Sequence, residues 1–144
     1  MIKIICVGKI KEAFYRDATL EYLKRLSKYT KIDIIEVIDS NINKEAELIL
    51  RHINTKDYII TLEIEGNMLS SLEFSRFLDK TFISNSNICF IIGGSNGLDQ
   101  RIKDLSNYKL SFSRLTFPHQ LFRVILLEQI YRCYKIINNE SYHK

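Results

Sequence analysis

Between Leu110 and Tyr134 the chain reads Leu-Ser-Phe-Ser-Arg-Leu-Thr-Phe-Pro-His-Gln-Leu-Phe-Arg-Val-Ile-Leu-Leu-Glu-Gln-Ile-Tyr-Arg-Cys-Tyr. A polar and aromatic loop here runs into a long apolar helix at Pro118, the single proline of the protein. Proline suits the first helical position, where the missing amide hydrogen has no intrahelical partner to lose. The loop is thus expected to hang from a rigid element, the usual way a binding loop is built. A second loop, Gly93-Gly94-Ser95-Asn96-Gly97, precedes it. Glycines there either let a ligand approach the backbone closely or serve only a tight turn. The spacing is not G-x-G-x-x-G, and no G-x-x-x-x-G-K-[ST] occurs, so neither a dinucleotide fingerprint nor a nucleotide-hydrolysing loop is indicated.

Only three histidines occur. His119 follows Pro118 and is read as a hydrogen-bonding partner of the loop rather than a catalyst. His52 is placed in a helix without companions. His143 belongs to the terminal Ser141-Tyr142-His143-Lys144. An aromatic ring, a titratable ring and a cation in that order either fray or grip a nucleotide. Cys6, Cys89 and Cys133 lack metal-ligand spacing and sit in apolar runs, which makes them small hydrophobes. Net charge is only +4, but Arg114, Arg123, Arg132, Lys135 and Lys144 gather in the C-terminal third, where a polyanion such as RNA would find them.

The elements that must position these residues alternate along the chain. Strands are expected at Ile2–Val7, Asp33–Ile38, Tyr58–Ile64, Ile88–Ile92 and Tyr108–Ser111. Helices are expected at Lys11–Tyr29, Lys44–Ile53, from the capping box Ser70-Ser71-Leu72-Glu73 onward, Gly97–Leu105 and Pro118–Ile137. This pattern predicts one domain spanning residues 1–144, an α/β fold with a doubly wound parallel sheet. Ligands then bind beyond the strand carboxyl ends, where both loops fall. Apolar residues make up 46% of 144, ordinary for a globular chain. No run approaches the roughly 18 apolar residues that span a bilayer, and no leader is recognisable, so a cytoplasmic location is expected. The last helix is apolar nearly all round, through Leu121, Phe122, Val124, Ile125, Leu126, Leu127, Ile130, Tyr131 and Tyr134, which points to a homodimer. Glu128 and Arg132 are spaced for an i,i+4 pair.

Taken together, Val7-Gly8-Lys9, Thr61-Leu62, Ile92-Gly93-Gly94 with Gly97-Leu98, Leu110-Ser111, Leu115-Thr116-Phe117-Pro118-His119, Arg123-Val124, Glu128-Gln129-Ile130-Tyr131-Arg132 and Tyr142-His143 resemble the ribosomal RNA large subunit methyltransferase H family, a branch of the SPOUT methyltransferases. Ser95-Asn96 departs from the Pro-Glu of many relatives. The resemblance implies a C-terminal trefoil knot, a homodimer, and S-adenosylmethionine as methyl donor. The implied substrate is N3 of a pseudouridine in 23S rRNA, modified on assembled ribosomes without a metal. It implies cofactor contacts from Leu62, Gly93, Phe112, Ser113, Arg114, Leu115, Thr116 and Phe117. The imide proton of N3 must leave, so a base or an anion stabiliser is needed; His143 is the candidate for the first and Arg123 for the second. Tyr142, His143, Lys144 and Arg123 are the expected RNA contacts. Alternatives are a non-catalytic ribosome- or RNA-binding protein of the same fold, or a SPOUT methyltransferase with another RNA target.

Overall fold

Side chains alternate across a strand with period two, and in β1 (Ile2–Val7) both faces are apolar but for Lys3, and all six residues are buried. Such a strand belongs in the middle of a parallel sheet covered on both sides. It lies there in the computed structural model, which describes Met1–Lys144. The remaining elements are α1 (Ala13–Leu26), β2 (Ile32–Val37), α2 (Ile42–Leu50), β3 (Tyr58–Met68), α3 (Ser71–Ser84), β4 (Ile88–Ile92), α4 (Gln100–Leu105), β5 (Tyr108–Ser111) and α5 (His119–Ile137). The five strands are all parallel, in the order β2-β1-β4-β3-β5.

The two faces of the sheet carry two cores. Ile4, Phe90, Ile60 and Leu110 pack against Leu26 of α1, Phe74 and Leu78 of α3, and Leu126, Leu127 and Ile130 of α5. On the other face Ile5, Cys89, Ile91 and Ile59 meet Ala46 and Ile49 of α2 and Ile102 of α4. This is the expected doubly wound α/β arrangement. All three cysteines are free and buried. Burial pushes the Cys6 thiol up to about 11 and those of Cys89 and Cys133 up to about 12, so they are packing groups, not nucleophiles. No helix is long and apolar enough to cross a membrane.

Several boundaries differ from expectation, each for a local reason. α4 begins at Gln100 rather than Gly97 because the Asp99 carboxylate accepts the Arg101 amide and caps the helix there. α2 ends at Leu50, which leaves His52 in an exposed turn. Pro118 is the N-cap of α5, one position earlier than the first helical residue; its ψ is 132° and its carbonyl accepts the Phe122 amide. The capping box at Ser70 and Glu73 forms as read. β3 continues four residues past Ile64, and its pairing with β5 jumps: Leu62 and Asn67 both face Leu110. Glu63–Gly66 therefore leave the ladder as a bulge.

One polar contact is buried in the second core. Lys3 Nζ binds Asp57 Oδ2 at 2.8 Å and the His52 carbonyl at 2.6 Å, with the Asp57 side chain 1% exposed. Lys3→Met strands that carboxylate and should cost about 3–5 kcal/mol in urea unfolding. A loss under about 1 kcal/mol would mean that water reaches Asp57 once the lysine is gone.

Candidate active site at the carboxyl edge of the sheet

The bulge after Leu62, the glycine turn after β4 and the loop after β5 all leave the carboxyl edge of the sheet. Between them lies a cleft of about 1000 Å³, at the upper end of the range for small-ligand sites. Leu62, Gly93, Phe112, Ser113, Leu115, Thr116 and Phe117 line it, together with His119 and Phe122 from α5. Of the eight residues expected to contact a cofactor, only Arg114 is not part of the wall; it is exposed. A smaller recess of about 260 Å³ shares Leu110, Phe112 and Phe117 with the cleft and reaches Ile125 and Gln129 of α5.

Short hydrogen bonds fix the walls. The Ser111 hydroxyl is shared between the carbonyls of Ile64 and Ser113, at 2.8 and 3.1 Å, and so joins the bulge to the loop after β5. The Ser113 hydroxyl accepts the Leu115 amide at 3.0 Å. In the glycine turn the Gly97 amide donates to the Gly94 carbonyl at 3.0 Å, and Gly97 has φ +75°, a conformation that favours glycine. Gly93 is needed by the turn itself: a Cβ there would lie 2.7 Å from the Gly97 carbonyl oxygen and 3.2 Å from Leu98 Cδ2.

The other expected site residues are elsewhere. Arg123, expected to stabilise an anion and to touch RNA, is 1% exposed. Its Nη1 donates to Glu36 Oε2 at 2.6 Å and its Nη2 to the Gly8 carbonyl at 2.9 Å. It is a fastening for the loop after β1 and does not line the cleft. The tail, expected either to fray or to grip a nucleotide, is docked against α5 of the same chain. Tyr142 packs edge-on against Tyr131 with centroids 4.9 Å apart, and the Arg132 guanidinium lies 4.9 Å from its ring. His143 is exposed, with Nδ1 3.0 Å from Arg132 Nη1. Arginine only donates, so Nδ1 accepts and the ring proton sits on Nε2. In this pose His143 has no lone pair left for a substrate proton. Glu128 holds Arg132 in turn at 3.0 Å; that pair, visible in the sequence as a plain i,i+4 contact, proves to be the support of the tail. Lys144 is exposed.

Comparison with known proteins shows the family. Residues 1–143 match the family model described as a predicted SPOUT methyltransferase. The chain belongs to the SPOUT methyltransferases. Within them it is 49% identical over 154 residues to the ribosomal RNA large subunit methyltransferase H of Caldicellulosiruptor saccharolyticus, with 100% of both chains covered. It is 50% identical over 157 residues to the protein of that name from Clostridium botulinum strain Loch Maree, with 99% of each covered. These identities place it in the methyltransferase H branch. A solved structure described as a probable methylase family protein from Haemophilus influenzae Rd KW20 superimposes with a TM-score of 0.58 over 99% of this chain and 70% of that one, at 8% identity. At that identity the likeness concerns the SPOUT fold alone.

No group of three or more His, Cys, Asp or Glu side chains converges as a metal site in this methyltransferase. The cleft's own chemistry is apolar walls, backbone polar groups and a few charges. Its integrity should depend on the turn: Gly93→Ala is expected to lower stability by about 1–3 kcal/mol even without ligand. Denaturant unfolding of the free protein measures this, and an unchanged midpoint would show that the Gly97 carbonyl can move aside at no cost.

Proposed function

We propose that this protein methylates N3 of a pseudouridine in 23S rRNA of assembled ribosomes, in the cytoplasm, with S-adenosylmethionine as donor and a homodimer as the working unit. The observation that carries this reading is the convergence of Leu62, Gly93, Phe112, Ser113 and Leu115–Phe117 on one cleft, in a chain about half identical to enzymes named for rRNA methylation. The residues suit the donor. Leu62, Leu115 and Phe117 offer apolar surfaces for an adenine ring, and the loop backbones offer amides and carbonyls for its edges and for ribose hydroxyls. When bound, the donor supplies a methyl group already activated by a sulfonium. What the protein adds is alignment of that methyl with the base, an effect worth roughly 7–11 kcal/mol. Calorimetry with S-adenosylmethionine tests the donor. Nucleoside mass spectrometry of rRNA from a strain lacking the gene tests the target, with loss of one N3-methylated pseudouridine expected. Absence of donor binding would leave an RNA-binding protein of the same fold.

The homodimer completes the site in this reading. α5 has 19 residues and is therefore about 28 Å long. Its first residue lines the cleft while the tail folds back beside Arg132, so a tail cannot reach its own cleft. Two copies of α5 packed antiparallel bring the tail of each to the cleft of the other. The face available for this is Leu121, Val124 and Ile125, half-buried in one subunit, whereas Leu126 is fully buried. Ile125→Arg should thus yield a folded monomer by light scattering, and Leu126→Arg an unfolded chain. A dimeric Ile125→Arg protein would place the interface elsewhere. The trefoil knot is part of the same proposal. It is supported by the passage of the chain from β5 at one edge of the sheet to Arg123, which grips Glu36 of β2 at the other.

Tyr142, His143 and Lys144 then meet RNA in the partner's cleft: uracil-type bases stack on tyrosine, and phosphates attract lysine. His143 can take the imide proton only after Nδ1 is released from Arg132. Deleting Tyr142–Lys144 should leave donor affinity intact and abolish methylation of ribosomes. His143→Ala should slow the reaction by about 10²–10⁴, with partial recovery as rising pH ionises the imide. A loss confined to ribosome affinity would instead make the ring an RNA contact, and full activity of the truncated protein would remove the tail from the mechanism.

A further inference from the structure

The bulge of β3 carries the only carboxylates in the wall of the cleft, Glu63 and Glu65. Glu65 is exposed. Glu63 is not: its side chain is 14% exposed, and the Thr61 hydroxyl holds Oε2 at 2.6 Å. Thr61 is itself 0% exposed and braced at 2.7 Å by Ser106, so the carboxylate is fixed in direction. Its other oxygen, Oε1, faces Lys103 Nζ at 3.9 Å, too far for a hydrogen bond. A carboxylate is therefore fixed in the wall with one oxygen free of hydrogen bonds. Lys103, also in the wall, is the opposing charge.

We propose that Glu63 reads charge, favouring the cationic methyl donor over its demethylated product. The proposal rests on the cleft being the S-adenosylmethionine site. Donor and product share adenine, ribose, ammonium and carboxylate; they differ by one methyl and one positive charge. On transfer the S–CH₃ bond breaks, a C–N bond forms, the imide proton departs, and sulfur becomes a neutral thioether. Apolar walls and backbone contacts grip both forms alike, and any pull on the ammonium is common to both, whereas the attraction of a nearby carboxylate for the sulfonium is felt by the donor alone. The Lys103 ammonium repels the same charge. The two side chains thus set the preference from opposite directions, and the attraction lapses once the methyl has gone.

The test is the ratio of dissociation constants, product over donor, measured by calorimetry with S-adenosylhomocysteine and S-adenosylmethionine on the full-length protein. Glu63→Gln should lower the ratio about tenfold, the scale of one unit charge in such a pocket. Glu63→Asp, which keeps the charge, should hold the ratio near that of the native protein even if both affinities fall. Lys103→Met, at a side chain 36% exposed and so tolerant of change, should raise it, and it carries the test if Glu63→Gln does not fold. An equal loss of both ligands in Glu63→Gln overturns the proposal and makes the carboxylate a contact to a group common to both. An unchanged ratio in Lys103→Met overturns it as well. A native protein that binds neither ligand is a different failure, that of the S-adenosylmethionine reading itself.

Discussion

A single buried guanidinium ties the ends of this molecule together. Arg123 is among the largest fully buried side chains. It projects from α5 to the carbonyl that ends β1 and to the carboxylate of Glu36 in β2. Such a pair contributes little net stability, because desolvation of the guanidinium offsets its attraction to the more exposed Glu36; removing the carboxylate, however, leaves an uncompensated charge inside. Its value is geometric. α5 follows β5, the edge strand farthest from β2, so the chain must cross the whole carboxyl edge of the sheet before Arg123 can reach its partners. Residues 112–123 and the arginine side chain together make that crossing, and the cleft lies beside the loop Phe112–Phe117.

The rest of the cleft is built on similarly fixed supports. Beneath the glycine turn, Gly94 fits so closely that a Cβ there would stand 2.9 Å from Val7 Cγ1 and 3.8 Å from Glu45 Oε1. Glu45 is 2% exposed; its burial, and next to it a contact with Asp39, hold its carboxyl above the usual range, against the pull of the Ser40 amide. The turn therefore rests on a packed floor. On the opposite wall Ser111 joins the bulge to the loop after β5. A site of this kind needs little rearrangement to present its backbone groups, and preorganisation of that sort is where an alignment-based reaction gains its rate.

Much of this was legible in the residues. The strands at Ile2–Val7 and Ile88–Ile92 have the bounds that their apolar runs suggest, because both are buried on both faces; Tyr108–Ser111 also keeps its expected bounds, with only Leu110 and Ser111 buried. The two loops beyond them follow from strand direction. What escaped the sequence depends on contacts between distant residues. Nothing in Thr61–Met68 marks where the ladder with β5 breaks; Gly66 is a faint sign, yet the jump is set by Leu110 facing two residues in turn. Arg123 looks like any other basic residue of the C-terminal third until Glu36, 87 positions earlier, comes to meet it. The docking of the tail is hidden because Arg132 reads only as the i,i+4 partner of Glu128; a guanidinium has five donors and serves both.

The bulge of β3 divides labour along one strand. Tyr58–Leu62 hold the sheet together, while Glu63–Gly66 take no part in its ladder, and Glu63, Ile64 and Glu65 line the cleft. Substitutions at Glu63, Ile64 or Glu65 can therefore alter what the cleft prefers while the hydrogen-bonded frame stays as it is. A fold arranged in this way can drift toward new ligand preferences through a few exposed or half-exposed positions, with its architecture insulated from the experiment.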